Sequence, residues 1–184
     1  MEISRITPTS VEVDLDRLRH NFRVLKEHVG SRHQILAVVK SNAYGHGAIP
    51  VARVLQSQGA DLFGVGTVDE GIQLREAGIK RPIILLLGIL QERYAELIRY
   101  GLTPVVYDLD EARRLHAFLS SRNEVLEVHL KVDTGMTRRG VPVEEAPRFF
   151  EEILKLGSLR PTGLITHLAD AGDRKFSERQ AAAF

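Results

Sequence analysis

The 184 residues contain no cysteine, which excludes disulfide bridges and thiolate metal sites and suits a reducing cytosol. An excess of charge is missing too: 25 Lys and Arg against 24 Asp and Glu leave a formal net charge of +1. With no basic block, such a chain has no field for wrapping nucleic acid. Long apolar runs are also absent. The longest, Pro82 to Leu90, is broken only by Gly88 and falls far short of the roughly 20 residues a membrane-spanning helix needs. Met1 to Ser10 is polar and mixed, without the apolar core of a signal peptide. There is no internal repeat, low-complexity tract or dividing linker. What remains is an ordinary globular balance, 43% hydrophobic and 27% charged, long enough for one domain with a sizeable core. A cytoplasmic setting is expected, with neither nucleic acid nor membrane as partner.

Short runs rich in Val, Ile or Leu recur roughly every 20 to 25 residues, as expected for strands covered on both faces. They are Ile35–Val39, Leu62–Val68, Pro82–Leu87, Thr103–Tyr107, Val125–Val132 and Thr162–Thr166. Helical periodicity lies between them. In Ala48–Ser57, Ile49, Ala52 and Leu55 fall near one face; in Glu92–Tyr100, Tyr94, Leu97 and Ile98 do. The carboxylates of Asp108, Asp110 and Glu111 suit the start of a helix over Ala112–Ser120. Strand and helix in alternation predict parallel strands joined by crossover helices. An open doubly wound sheet and a closed barrel both fit, and the missing G-x-G-x-x-G favours the barrel. Before the first unit, Val11–Leu15 reads as a strand and Asp16 as the cap of a helix carrying Leu18, Phe22 and Leu25.

In α/β barrels, chemistry sits where strands end. The first strand ends in Lys40, followed by Ser41-Asn42-Ala43-Tyr44-Gly45-His46-Gly47. An amine held at the rim of an apolar core can form a Schiff base with an aldehyde, and the glycines let the backbone bend toward a ligand. A snorkelling surface lysine fits the same spacing. The fifth strand places His129 and Lys131 on one face, then turns through Asp133-Thr134-Gly135-Met136-Thr137 to Arg138, whose fork can hold an anionic oxygen. A plain turn with a solvated Arg138-Arg139 pair is the alternative. The sixth strand ends at His167, open to a cofactor, acid–base or structural role. No second ligand stands beside it at metal spacing. There is no G-x-S-x-G for a serine nucleophile.

Taken together, these segments resemble the alanine racemase family, pyridoxal 5'-phosphate (PLP) enzymes built on a barrel plus a C-terminal β domain. The resemblance rests on Val11-Glu12-Val13-Asp14-Leu15 with Asn21, on the Lys40 block from Ala37 to Gly47, and on Leu130 to Met136 with Arg138 and Gly140. It continues through Thr166-His167-Leu168-Ala169, Phe176-Ser177 and Gln180 to Phe184. It implies an α/β fold, a parallel (β/α) barrel of which residues 1–184 supply about six of eight strands. By resemblance, Lys40 would carry PLP and act as acid and base on one face of the substrate α-carbon. Tyr44 would contact the phosphate, Arg138 the phenolic oxygen and the substrate carboxylate, and His167 the pyridine ring. Lys131 matches a lysine often carbamylated in the family.

Three departures stand out. Thr137 replaces a usual glycine, Arg139 a frequent leucine, and Asp170 to Asp173 lacks some of the usual pattern. Members also run to about twice this length. The expected phosphate-binding strands, the β domain and its catalytic tyrosine, which works across a homodimer interface, would lie in the other half. Racemisation needs a base on each face of the α-carbon, so the expected partners are an amino-acid substrate and the complementary half or a second subunit. An inactive or PLP-binding-only fragment, or another barrel-type PLP enzyme such as an amino-acid decarboxylase, is the alternative.

Overall fold

The computed structural model describes residues 10–184. The polar opening segment, residues 1–9, lies outside the described residues. Among the described residues seven parallel strands form one curved sheet: β1 (Leu36–Val38), β2 (Leu62–Val65), β3 (Ile83–Leu85), β4 (Leu102–Val106), β5 (Leu126–Asp133), β6 (Val141–Pro142) and β7 (Leu159–Ile165). Neighbours run β1-β2-β3-β4-β5, and β5 then pairs both β7 and the two-residue β6. The six predicted strands are all present, most shifted or trimmed by a few residues, and β6 is an addition. The sheet is an incomplete barrel, with β1 and β7 at its open ends.

Helices cover the outer face, and there the core is apolar. They are α1 (Leu15–Val29), α2 (Ala48–Ser57), α3 (Val68–Glu76), α4 (Tyr94–Tyr100), α5 (Leu109–Ser120), α6 (Ala146–Leu154) and α7 (Arg174–Ala183). Phe63, Ile83, Leu85, Leu97, Val105, Leu115, Leu119 and Ile153 are wholly buried, each worth about 1.5–3 kcal/mol against exposure. Strand alternation splits β5: Leu126, Val128, Leu130 and Val132 are buried under the helices, while His129, Lys131 and Asp133 are only part-buried on the other face. On the inner face Gly64 is required by close approach, since a Cβ there would stand 2.8 Å from Leu36 and 2.9 Å from Leu86. Successive units are stapled from outside by Arg75, whose guanidinium donates to the carbonyls of Ile79, Arg81, Tyr100 and Gly101 at 2.7–2.9 Å.

The predicted strand at Val11–Leu15 is not formed. Residues 11–14 are irregular, and Leu15 already belongs to α1. The cap is Asp14 rather than Asp16, because its carboxylate reaches the free N–H groups of Asp16 and Arg17 at 2.9 and 3.0 Å. Phe22 is buried and Leu18 half-buried, but Leu25 is exposed. In α2 the inward residues are Ala48, Val51, Ala52, Val54 and Leu55, and Ile49 faces out. Helix α5 starts three residues before the predicted point because Asp108, accepting from Glu111 N–H at 2.6 Å, is its cap.

Candidate active site

The strand ends position the candidate residues. β1 delivers Lys40 through Val39, whose N–H donates to Gly64 O at 2.8 Å and so continues the β1–β2 ladder. The chain then makes a left-handed turn: Ser41, Asn42, Ala43 and Tyr44 have φ between 52° and 55°. Each such L-residue costs about 1–2 kcal/mol, so other contacts must impose the turn. Ala43 N–H bonds Val39 O at 2.8 Å, and the Asn42 side chain caps α2 by accepting from Ala48 N–H at 2.8 Å. From across the sheet, the Glu70 carboxylate accepts from Ser41 N–H at 2.7 Å and Gly66 N–H at 2.6 Å. The predicted bend at Gly45 and Gly47 is real, with φ of 86° and 91°, but four non-glycine residues before them share it.

At the end of β5, Asp133 organises the next turn. Its carboxylate accepts from the N–H groups of Gly135, Thr137 and Arg138 at 2.9–3.1 Å. Burial pushes its pKa up, but these bonds outweigh it and hold the carboxyl below its ordinary value. Thr137 takes a left-handed φ of 55°, the conformation for which glycine is suited. Gly140 lies so close to the β5 backbone that a Cβ would come within 2.7 Å of Asp133 N. Beyond β7, Gln180 of α7 is 1% exposed and ties two loops together. It donates to Thr134 Oγ1 and to the His167 carbonyl, both at 3.1 Å, and accepts from Ala169 N–H at 2.9 Å. Thr134 and Thr166 share a hydroxyl bond of 2.8 Å.

These turns bring the five predicted residues to one cavity of about 410 Å³. Lys40, Tyr44, Lys131, Arg138 and His167 all line it, with Leu36, Val38, Leu86, Leu87, Ile165 and Thr166 as the remaining walls. The Lys40 ammonium lies 5.8 Å from the centre of the Tyr44 ring. Among the described residues no carboxylate lines the space. Burial lowers the Lys131 pKa, and Arg138, Arg139 and Lys40 lower it further, with only Asp133 opposing. Burial also lowers His167, aided by Lys131, Arg138 and Lys40. His129, on the same face of β5 but outside the lining, is lowered by burial. Cations crowded around a space whose described lining holds no carboxylate suit an anion. An amine beside such an anion site fits a group that bears an aldehyde and a phosphate, as PLP does; Lys40 would be the residue to hold it, with Tyr44, Arg138 and His167 around it.

Sequence reasoning gave no role to Glu70, Asp133 or Gln180 at these turns. Thr67-x-x-Glu70 does carry a capping signal, and Thr67 Oγ1 does accept from Glu70 N–H at 3.3 Å. The carboxylate, however, crosses to the Lys40 turn, a contact 29 residues away in sequence that no local pattern encodes. Asp133 was legible only as a turn residue, and Gln180 only as part of a matching segment.

Comparison with known proteins agrees with this architecture. Residues 13–184 match the family model described as alanine racemase, N-terminal domain. The alanine racemase of Syntrophobacter fumaroxidans is 44% identical over 176 residues, which cover 95% of this chain and 47% of that one. That of Halothermothrix orenii is 43% identical, covering 92% and 45%. Among solved structures, alanine racemase from Clostridium difficile 630 in complex with cycloserine superposes with a TM-score of 0.91 at 35% identity, covering 97% of this chain and 50% of the other. The Bacillus anthracis enzyme with bound L-Ala-P gives 0.84 at 28% identity, covering 94% and 45%. The chain thus spans about half the length of the curated relatives it matches. It belongs to the alanine racemase family, whose N-terminal domain it carries.

Proposed function

We propose that this chain forms the cofactor-bearing part of a cytoplasmic, PLP-dependent alanine racemase that interconverts L- and D-alanine for peptidoglycan. The observation that carries this reading is the cavity in which the Lys40 amine shares space with Arg138, Lys131, His167 and Tyr44 and, among the described residues, with no carboxylate. A phosphate and an amino-acid carboxylate are the anions such a donor set accepts. Two solved relatives, one in complex with cycloserine and one with bound L-Ala-P, support a small ligand for this family.

When bound, PLP supplies the electron sink that makes the proton on the substrate α-carbon removable. The Lys40 amine moves that proton on the face it occupies, assistance typically worth about 10² to 10⁴ in rate. Arg138 holds the substrate carboxylate. Tyr44 binds the phosphate and His167 supports the ring. Lys131, with its depressed pKa, is more readily neutral than an ordinary lysine and so more nucleophilic toward carbon dioxide. Carbamylation there would replace one of the crowded cations with an anion that braces Arg138. The base for the opposite face is assigned to the other half of the family's length, contributed in a homodimer.

Titration of the purified chain with PLP tests the cofactor role. A visible absorbance band is expected, and it should vanish in Lys40→Ala. Racemisation of alanine is expected only once the complementary half is added. A wild-type chain showing no band at high PLP overturns the cofactor assignment, and racemisation by the chain alone overturns the assignment of the second base.

A further inference from the structure

Beyond Leu130 the end of β5 outruns its neighbour. The β4–β5 register ends at Val106 with Leu130, so residues 131–140, including Arg138, extend past the described ladder to β4. Asp133 fixes the turn from within, bonding only to its own backbone. That sets the turn's shape but not its placement over the rim. Thr134, bonded to Thr166 and Gln180, ties the turn to the β7 side, and the side chain of Arg139 makes the connection on the β3–β4 side. Its guanidinium donates to the carbonyl of Leu87, just after β3, and to the Tyr107 hydroxyl, just after β4, at 2.8 Å for the latter. It also lies 6.0 Å from the Tyr107 ring centre, within cation–π range. Arg139 faces a neighbouring cavity of about 430 Å³, shared with Tyr107, Glu111 and Gly88, while Arg138 faces the Lys40 cavity. Leu87 lines both. The two adjacent arginines therefore divide the work: one faces the anion site and the other grips the scaffold.

We propose that Arg139, through the Leu87 carbonyl and the Tyr107 hydroxyl, is a positioning residue that holds Arg138 at its working height and direction in the Lys40 cavity. The inference rests on the reading that this cavity binds PLP. It acts through Arg138, so its effect must depend on Arg138 being present. A leucine at position 139 would bury against the same apolar walls but could not tie β3 and β4 to the turn.

The test uses the 184-residue chain with Arg139→Leu, Tyr107→Phe, Arg138→Leu and the Arg138→Leu/Arg139→Leu pair. Hydrogen–deuterium exchange of residues 133–140 reads the clamp without cofactor, and spectroscopic PLP titration reads its consequence. Arg139→Leu is expected to speed exchange in that turn while leaving β2 and α3 unchanged. It should also weaken PLP binding about tenfold, equivalent to about 1.4 kcal/mol. Tyr107→Phe should do the same about threefold and decides the matter if Arg139→Leu does not fold. In the Arg138→Leu background the loss from Arg139→Leu should disappear. Unchanged exchange, or an equal loss in that background, overturns the proposal. If the wild-type chain binds no PLP, the functional reading fails, and the clamp is then decided by the exchange measurement alone.

Discussion

The two turns that aim Lys40 and Arg138 solve the same problem by opposite means. The turn after β1 places four consecutive non-glycine residues in left-handed backbone and is held by a carboxylate brought from another unit, Glu70. The turn after β5 has Thr137 as its single left-handed non-glycine residue and is held by a carboxylate at its own base, Asp133. The first is therefore a tertiary device, whose strain is offset only when β2 and α3 are in place. The second takes its shape from a local device at the end of its own strand, while distant contacts of Thr134 and Arg139 set only where it lies. Removing the holding group should cost more in the first case than in the second.

The largest effect is expected from Glu70→Ala. It leaves Ser41 N–H and Gly66 N–H without their acceptor while four strained residues remain, a loss of about 1–3 kcal/mol. Thermal unfolding should show it, together with a weakened PLP titration, because the turn bearing Tyr44 relaxes. A variant with wild-type melting and binding would mean the left-handed turn is self-sufficient.

Asp133→Asn should be milder, about 1–2 kcal/mol, since the amide keeps one acceptor oxygen. It also carries a pH signature. The folded carboxyl titrates below its ordinary value, so the unfolded chain takes up a proton first as the solution is acidified. This stabilisation is complete above the ordinary carboxylate pKa and is lost as pH falls through the lower, folded value. The asparagine variant should lack that acid-limb dependence in a melting series. An unchanged acid limb would assign it to other carboxylates.

The third effect has the opposite sign. Thr137→Gly relieves left-handed strain at the price of a more flexible unfolded chain, for a net gain of about 0.5–1 kcal/mol. A lower melting temperature instead would show that the threonine side chain contributes more than its backbone costs.

The smallest is a pH trend without cofactor. Lys131 and His167 are both lowered in the fold, so at intermediate pH the unfolded chain binds more protons and stability rises with pH through each window. Lys131→Met should flatten the alkaline part. A melting curve that keeps its alkaline slope in this variant would remove Lys131 as its source.

Much of the fold was written locally. The β-rich runs and the helical spacing between them gave six strands and the parallel crossover order, because buried strands and amphipathic helices leave periodic traces. Val11–Leu15 misled for a physical reason. Its alternation is that of a strand, but Asp14 satisfies two helix N–H groups at once. Among the site residues, Lys40, Tyr44, Lys131, Arg138 and His167 could be named because each sits in a specific motif at a strand end.

The sequence alone therefore determined which residues stand at the rim of the sheet and in what order. Only the tertiary structure decided that they share one cavity, lined by no carboxylate among the described residues, that Glu70 holds the Lys40 turn, and that Arg139 grips β3 and β4. Those contacts join residues 29 and more positions apart. Charge crowding and strain are properties of distances, and a sequence pattern records neighbours along the chain rather than neighbours in space.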